Sequence, residues 1–116
     1  MNGISPQLQN QIAQYQQTQQ QLQAATTQRV QMESQKREME RTFEELAKAK
    51  GDVYRSAGSL LIKVEDKDQL KSEIEESLET LGIRVKSLEK QEKSLREKYD
   101  SLQETINKAV GQAGAE

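Results

Sequence analysis

The stretch from Ile74 to Ala109 constrains the fold more than any other part of this sequence. Its apolar residues recur at alternating steps of four and three, and only one of these positions is polar. This spacing is the a/d pattern of a helix that packs an apolar seam against another helix. The seam consists of Ile74, Leu78, Leu81, Val85, Leu88, Glu92, Leu95, Tyr99, Leu102, Ile106 and Ala109. Because Asp66 and Gln69 have the spacing of a capping box, we predict a helix over about residues 67–110.

A second long helix is predicted over about residues 6–50, a stretch with no internal proline or glycine. Ser5 is a favourable N-cap, and proline at the first helical position costs no hydrogen bond. The apolar residues again follow steps of three, four and seven: Leu8, Ile12, Tyr15, Leu22, Ala25, Met32, Met39, Phe43 and Leu46. Leu22 and Met32 do not fall on one strict grid, and their offset predicts a stammer that locally overwinds the coiled coil.

The segment between the two helices has a different pattern. Gly51 and Asp52 break the first helix, and residues 53–64 then alternate with a period of two and are rich in β-forming side chains. Residues 56–59 have turn composition. We therefore predict a β-hairpin with strands at about residues 53–56 and 59–64.

Helices of matched length joined by a short connector are expected to fold back on each other. At about 1.5 Å per residue, each helix is roughly 68 Å long. The predicted fold class is mainly α: a long antiparallel two-helix coiled coil with one β-hairpin at the closed end, in a single domain over residues 1–116. Residues 111–116 would form a flexible tail. The alternative is a parallel dimer in which the two helices of each chain do not fold back on each other. Gly82 lies inside the second helix and has two interpretations: it permits close helix approach or bending, or it is a tolerated surface glycine.

The composition excludes most enzyme classes. The chain of 116 residues has no His and no Cys, which removes the commonest zinc ligands, nucleophile–base pairs and disulfides. Its two isolated central glycines match no phosphate-binding loop. We expect no enzyme activity, no catalytic or metal-binding residue and no cofactor. A net charge of −2 with interleaved acids and bases gives no basic stripe for nucleic acid. No window approaches the roughly 18 apolar residues that span a membrane, so we expect a soluble protein. The lack of cysteine fits a reducing compartment, and we expect a cytoplasmic location.

Two regions carry apolar residues that one chain does not easily cover. An isolated hairpin is marginal in water, and this one would expose unpaired edges and apolar side chains on both faces. Pairing of hairpins from several chains is the favoured interpretation, and a cap on the helix ends is the alternative. At the other end, residues 1–28 carry no charged side chain. Apolar residues there could bind apolar surface as the coiled coil frays, or could simply be its terminal layers.

The chain resembles the β-class subunit of prefoldin over about residues 5–110. The glutamine-rich stretch Gln7–Leu22 is similar to the start of archaeal members of that class. The segment Val53–Val64 resembles the family's hairpin, and the segments Leu78–Arg84 and Leu88–Glu92 resemble its second helix. The family's α-class subunits have two hairpins, for which this chain has no room.

The resemblance implies an ATP-independent chaperone. Prefoldin is a hexamer of two α-class and four β-class subunits that holds nonnative proteins and passes them to a group II chaperonin. By position, the oligomerisation hairpin would consist of Val53, Tyr54, Leu60, Leu61, Ile62 and Val64. The client-binding tip would consist of Leu8, Ile12, Tyr15, Ile106 and Val110. The alternative is a structural or tethering coiled-coil protein whose hairpin is a dimer contact.

Overall fold

The chain forms two long helices joined by one hairpin, in the predicted order. A computed structural model describes residues 4–115, with side chains described for residues 4–111. Helix α1 is Pro6–Lys48, strands β1 and β2 are Tyr54–Ala57 and Leu60–Lys63, and helix α2 is Lys67–Ala115. The predicted class, an antiparallel two-helix coiled coil with one hairpin, is confirmed.

Both helix starts follow the predicted caps. The backbone N–H of Leu8 donates to Ser5 Oγ at 3.1 Å, and the backbone N–H of Gln69 donates to Asp66 Oδ1 at 3.0 Å. Each bond satisfies one of the amide groups that a helix N-terminus leaves without an internal partner. The side-chain oxygens of these two residues therefore set where the helices begin.

The helix C-termini differ from the predicted ones. Helix α1 ends at Lys48, two residues before the expected boundary, ahead of Gly51. Helix α2 continues to Ala115, so residues 111–115 extend the helix where we predicted a flexible tail. Glu116, the last residue of that predicted tail, lies outside the described residues, as do residues 1–3. Glycine weakens a helix but does not stop one, and Gly111 and Gly114 are both accommodated in α2.

The seam of α2 is confirmed by burial. Every position of the four–three alternation between Ile74 and Ala109 is buried or half-buried, including Glu92. The intervening positions are exposed, apart from Gly82, which is half-buried. The apolar period read from the sequence therefore gives the packed face of this helix directly.

The predicted stammer in α1 is wrong. Twelve buried or half-buried residues of α1 follow one three–four alternation without interruption: Leu8, Gln11, Tyr15, Thr18, Leu22, Ala25, Arg29, Met32, Lys36, Met39, Phe43 and Leu46. Ile12, Thr26 and Glu33 are half-buried beside this alternation. The apparent offset arose because four of the twelve positions are polar and were not counted as seam residues. Thr18 is the most buried of the four, with 1% of its surface exposed.

The molecule divides into two packed units. Unit 1 contains the described residues up to Arg29 together with those from Ser87 onward, and unit 2 is Val30–Lys86. The helices run antiparallel in unit 1, because residue 15 contacts residue 99 while residue 26 contacts residue 92. The buried apolar side chains of unit 1 are Leu8, Ala25 and Leu88, and those of unit 2 are Leu46, Ile74 and Val85.

Gly82 does not hold the helices close together. A Cβ atom placed on it would meet only the Lys36 Nζ, at 3.9 Å, which is an ordinary van der Waals distance. The side chain of Lys36 therefore passes over this glycine, and an alanine would fit in the same space. Close approach of the two helix backbones is excluded as the reason for a glycine at this position.

Candidate functional site

The hairpin lies in unit 2 and is built around a two-residue turn. Gly58 has a φ of +63°, and no non-glycine residue among those described has a positive φ. A positive φ at the first central residue alone is the signature of a type II′ turn, which matches the twist of paired strands. Ladder pairing joins Tyr54 to Lys63 and Ala57 to Leu60, and Val64 N–H donates to the Val53 carbonyl at 2.8 Å. The turn thus lies at residues 58–59, within the predicted strand–turn–strand segment.

All eight strand residues of the hairpin are exposed. The exposed fractions of Tyr54, Leu60, Leu61 and Ile62 are 56%, 64%, 74% and 47%. Side chains alternate between the two faces of a strand, so Leu60 and Ile62 share one face and Leu61 lies on the other. The structure therefore brings four of the six predicted oligomerisation residues to an exposed surface, and Val53 and Val64 are half-buried at its base.

Polar contacts join the base of the hairpin to its surroundings in unit 2. Lys63 Nζ lies 3.8 Å from Asp52 Oδ1, and Arg55 lies 4.0 Å from the Glu73 carboxylate. Lys67 donates to the Gly51 carbonyl. The two ion pairs are about half exposed and each contributes only about 0–1 kcal/mol, so they orient the hairpin more than they stabilise it.

The second candidate surface is a groove in unit 1 of about 320 Å³. Half-buried apolar and aromatic side chains form its floor, and exposed amides form its rim. We call it the amide groove; the floor consists of Ile12, Tyr15 and Ile106, and the rim consists of Gln16, Gln19, Gln103 and Asn107. Three of the five predicted tip residues therefore come together in the floor of one groove.

The other two predicted tip residues lie elsewhere. Leu8 is only 8% exposed and belongs to the packed core of unit 1. Val110 is 54% exposed and lies beyond the groove along α2. The rim amides were not predicted, because exposed glutamines follow no apolar period. The absence of charge from residues 1–28 was the available sign that this surface differs from the rest of the chain.

Tyr15, in the floor of the amide groove, packs against a second tyrosine. The rings of Tyr15 and Tyr99 stack with centroids 4.6 Å apart and an angle of 21° between their planes. The hydroxyl of Tyr15 donates to that of Tyr99 at 2.6 Å. This hydrogen bond raises the pKa of Tyr15, and partial burial and the charges of ionised Tyr99 and Asp100 raise it further. The Tyr15 phenol is therefore neutral at physiological pH, and the groove floor carries no charge.

Elsewhere in unit 1, one seam layer is ionic. Arg29 forms an ion pair with Glu92, and the Thr26 hydroxyl donates to the same carboxylate at 3.0 Å. Burial opposes ionisation of Glu92, but the hydrogen bonds from Arg29 and Thr26 outweigh it, helped by the positive charges of Arg29 and Arg96. The pKa of Glu92 therefore lies below its usual value. The single polar position in the α2 seam has its partners on α1.

Other kinds of site are not supported in the part of the chain that the structure describes. Among residues 4–115, no group of three or more acidic, His or Cys residues could hold a metal ion. No described helix is long and apolar enough to cross a membrane. The hairpin and the amide groove are the surfaces at which several of the predicted functional residues come together.

Comparison with known proteins gives one consistent result. Residues 9–113 match the model of a family described as "Prefoldin subunit". The prefoldin subunit beta of Thermoplasma volcanium is 46% identical over 95% of this chain and 90% of its own length. That of Methanococcoides burtonii is 45% identical over 96% of each chain. The crystal structure of the prefoldin beta subunit from Thermococcus strain KS-1 superimposes with a TM-score of 0.81, at 34% identity, covering 94% of this chain and 96% of that one.

Proposed function

Because the chain belongs to the prefoldin family as a β-type subunit, a family of chaperone subunits, we propose that it acts as an ATP-independent holdase. It binds nonnative proteins, keeps them from aggregating and passes them to a group II chaperonin in the cytoplasm. The observation that carries this proposal is the amide groove. Its floor is apolar, it is open to solvent, and none of the residues that line it is charged.

Beta subunits of this family work within hetero-oligomeric complexes. We propose that this chain joins α-class subunits in a hexamer of two α-class and four β-class chains, through its hairpin. Exposed apolar side chains on both faces and unpaired strand edges favour pairing with another hairpin, because edge pairing satisfies backbone groups and buries the apolar residues together. The residues that would be covered are Val53, Tyr54, Leu60, Leu61, Ile62 and Val64.

Weak contact at each groove suits a chaperone that must release its client. One groove of about 320 Å³ offers room for only a short segment of polypeptide. Several grooves held in one complex raise the effective concentration of the second and later contacts, so the complex binds more tightly than any single groove. Transfer to a chaperonin then needs only stepwise loss of weak contacts and no ATP hydrolysis.

The client role is tested by truncation. A complex that lacks residues 1–19 and those after Leu102 should remain a hexamer, because the hairpin is untouched. It should lose suppression of client aggregation, because every residue that lines the amide groove is removed. The measurement is light scattering by a chemically denatured client diluted into the complex. Full suppression by the truncated complex would contradict the assignment of client binding to this end of the chain.

The assembly role separates the chaperone from a structural or tethering coiled-coil protein. Native mass spectrometry of the chain mixed with an α-class partner should give the hexamer. Replacing Leu60 and Ile62 by Ser should abolish it, whereas the same change at the exposed Ile83 of α2 should have no effect. A tethering protein predicts dimers in every mixture and no hexamer.

A further inference from the structure

The amide groove differs in its electrostatics from a larger groove in unit 2. A groove of about 860 Å³ in unit 2 is lined by Glu38, Glu73, Glu76 and Arg84 among others. All seven residues that line the amide groove are uncharged. The residues that line the amide groove therefore place no fixed charge on an occupant. On the same helix, Glu104 and Lys108 carry opposite charges and form an ion pair at 3.3 Å, so neither sign of charge dominates beside the rim.

The rim of the amide groove offers free hydrogen-bonding groups. Each Gln or Asn side chain carries two N–H donors and one carbonyl acceptor. Within the described part of the chain, none of the four rim amides hydrogen-bonds to another protein group. They are exposed and surround a half-buried apolar floor. The rim can therefore both donate to and accept from a ligand without first breaking an internal bond.

An extended polypeptide main chain has matching chemistry. It presents an uncharged N–H donor and a carbonyl acceptor at each non-proline residue, whatever its side chains are. In extended form, its side chains alternate between two directions, so one apolar side chain can point at the floor while the main chain lies along the rim. A folded protein pairs most of these main-chain groups internally, whereas a nonnative segment leaves them free.

We propose that the amide groove binds an extended, nonnative segment mainly through its main chain, with one apolar side chain against Ile12 and Ile106. The rim amides hydrogen-bond to the segment's N–H and C=O groups. Binding is therefore indifferent to the sign of the charges that flank the apolar residue. This inference rests on the proposed client role and adds what a client segment must provide.

The test uses the assembled complex and synthetic peptides with one central leucine. One peptide has Lys on both sides of the leucine, a second has Glu, and a third has an uncharged sequence with two N-methylated peptide bonds. By fluorescence anisotropy, the Lys and Glu peptides should bind within about twofold of each other. N-methylation should weaken binding by about two- to tenfold for each hydrogen bond lost, relative to the unmethylated parent.

Two sets of variants locate the effect in the groove. Gln16→Glu with Gln103→Glu should make the complex prefer the Lys peptide over the Glu peptide, since the side chains keep their size and gain charge. Gln16→Met with Gln103→Met should remove the penalty for N-methylation. Gln20→Met is the matched control, because Gln20 is exposed on the same helix and does not line the groove.

Each outcome decides between the two proposals. Equal binding of the N-methylated peptide and its parent, or a more than tenfold preference of the unmodified complex for one charge, overturns main-chain recognition and leaves the client role standing. If the complex binds none of the peptides and also fails to suppress client aggregation, the client role itself is wrong.

Discussion

The ionic layer in the seam of unit 1 makes a quantitative prediction about stability. Glu92 and Arg29 occupy positions where an apolar residue is usual, and their side chains are only 13% and 25% exposed. The perturbation is a double-mutant cycle in which Glu92→Leu and Arg29→Leu are made separately and together. All four proteins keep a helix-forming side chain at both positions, so the cycle reports the pair rather than helix propensity.

The magnitude follows from the degree of burial. Breaking a fully buried ion pair by removing one partner costs about 3–5 kcal/mol, whereas exposed pairs contribute about 0–1 kcal/mol. The partial exposure of this pair lies between those limits, so we expect Glu92→Leu alone to lower the free energy of unfolding by about 1–3 kcal/mol. The double change should restore or exceed the original stability, because two leucines fill the same seam layer without any charge to desolvate.

Urea denaturation of the four proteins, followed by far-UV circular dichroism at one fixed concentration, measures the cycle. We expect a coupling energy of about 1–3 kcal/mol. Glu97→Leu is the control, since Glu97 is exposed outside the seam, and it should change stability by less than about 0.5 kcal/mol.

The pH dependence of the same cycle gives an independent check. The pKa of Glu92 is lowered in the folded chain. The stability that ionised Glu92 contributes is therefore complete above the unfolded-state pKa, at about 4.3, and is lost as the pH falls through the lower folded-state pKa. The original protein should lose stability relative to the double mutant in that acidic range. A coupling energy near zero at neutral pH, with no relative loss in acid, would refute the argument that this pair stabilises the seam.

Three further predictions concern single residues. Gly82→Ala should raise the free energy of unfolding by about 1 kcal/mol in thermal melting, since alanine fits and is the better helix former; a loss would mean that the helix needs a glycine there. Gly58→Ala should destabilise the hairpin by about 1–2 kcal/mol, because Gly58 has a positive φ. The same variant should form less hexamer in native mass spectrometry. Gly51→Ala is the control and should leave assembly unchanged. The pKa of Tyr15 is raised in the folded chain. The stability that this shift contributes is therefore complete below the unfolded-state pKa, at about 10, and is lost as the pH rises through the folded-state pKa. Tyr99→Phe should remove much of this alkaline loss of stability in thermal melts, and an unchanged pH profile would contradict that expectation.

The packed face of α2 could be predicted from the sequence more accurately than that of α1, for a physical reason. In α2 an apolar side chain fills every seam position but one, so hydrophobic periodicity alone gives the packed face. In α1, the seam positions Gln11, Thr18, Arg29 and Lys36 are polar, and the same reading produced a false interruption. A polar residue can occupy a seam when its partner on the other helix satisfies it, as Glu92 does for Arg29, and that partnership is invisible in one helix taken alone.

Prediction of the two candidate surfaces from the sequence was limited in the same way, because it missed contacts between the two helices. The hairpin could be predicted because alternation and turn chemistry are local signals, and its strands lie within one or two residues of the expected positions. The floor of the amide groove could be named in part, since Ile12, Tyr15 and Ile106 are apolar. Its rim could not, because which exposed amides face each other depends on the register of two helices far apart in sequence. Leu8 was assigned to the client-binding tip by its position in the family resemblance, and the structure shows it packed in unit 1 with only 8% of its surface exposed.

The exposed hairpin has a consequence for how the cell must supply this chain. Before its partners arrive, a newly made subunit carries two open strand edges with leucine and isoleucine side chains beside them, the arrangement that natural sheets otherwise conceal. Each subunit in excess over its partners is then itself a candidate for aggregation. We therefore expect production of this chain to be matched to that of its partners, because subunits left without a partner would aggregate through their exposed hairpins.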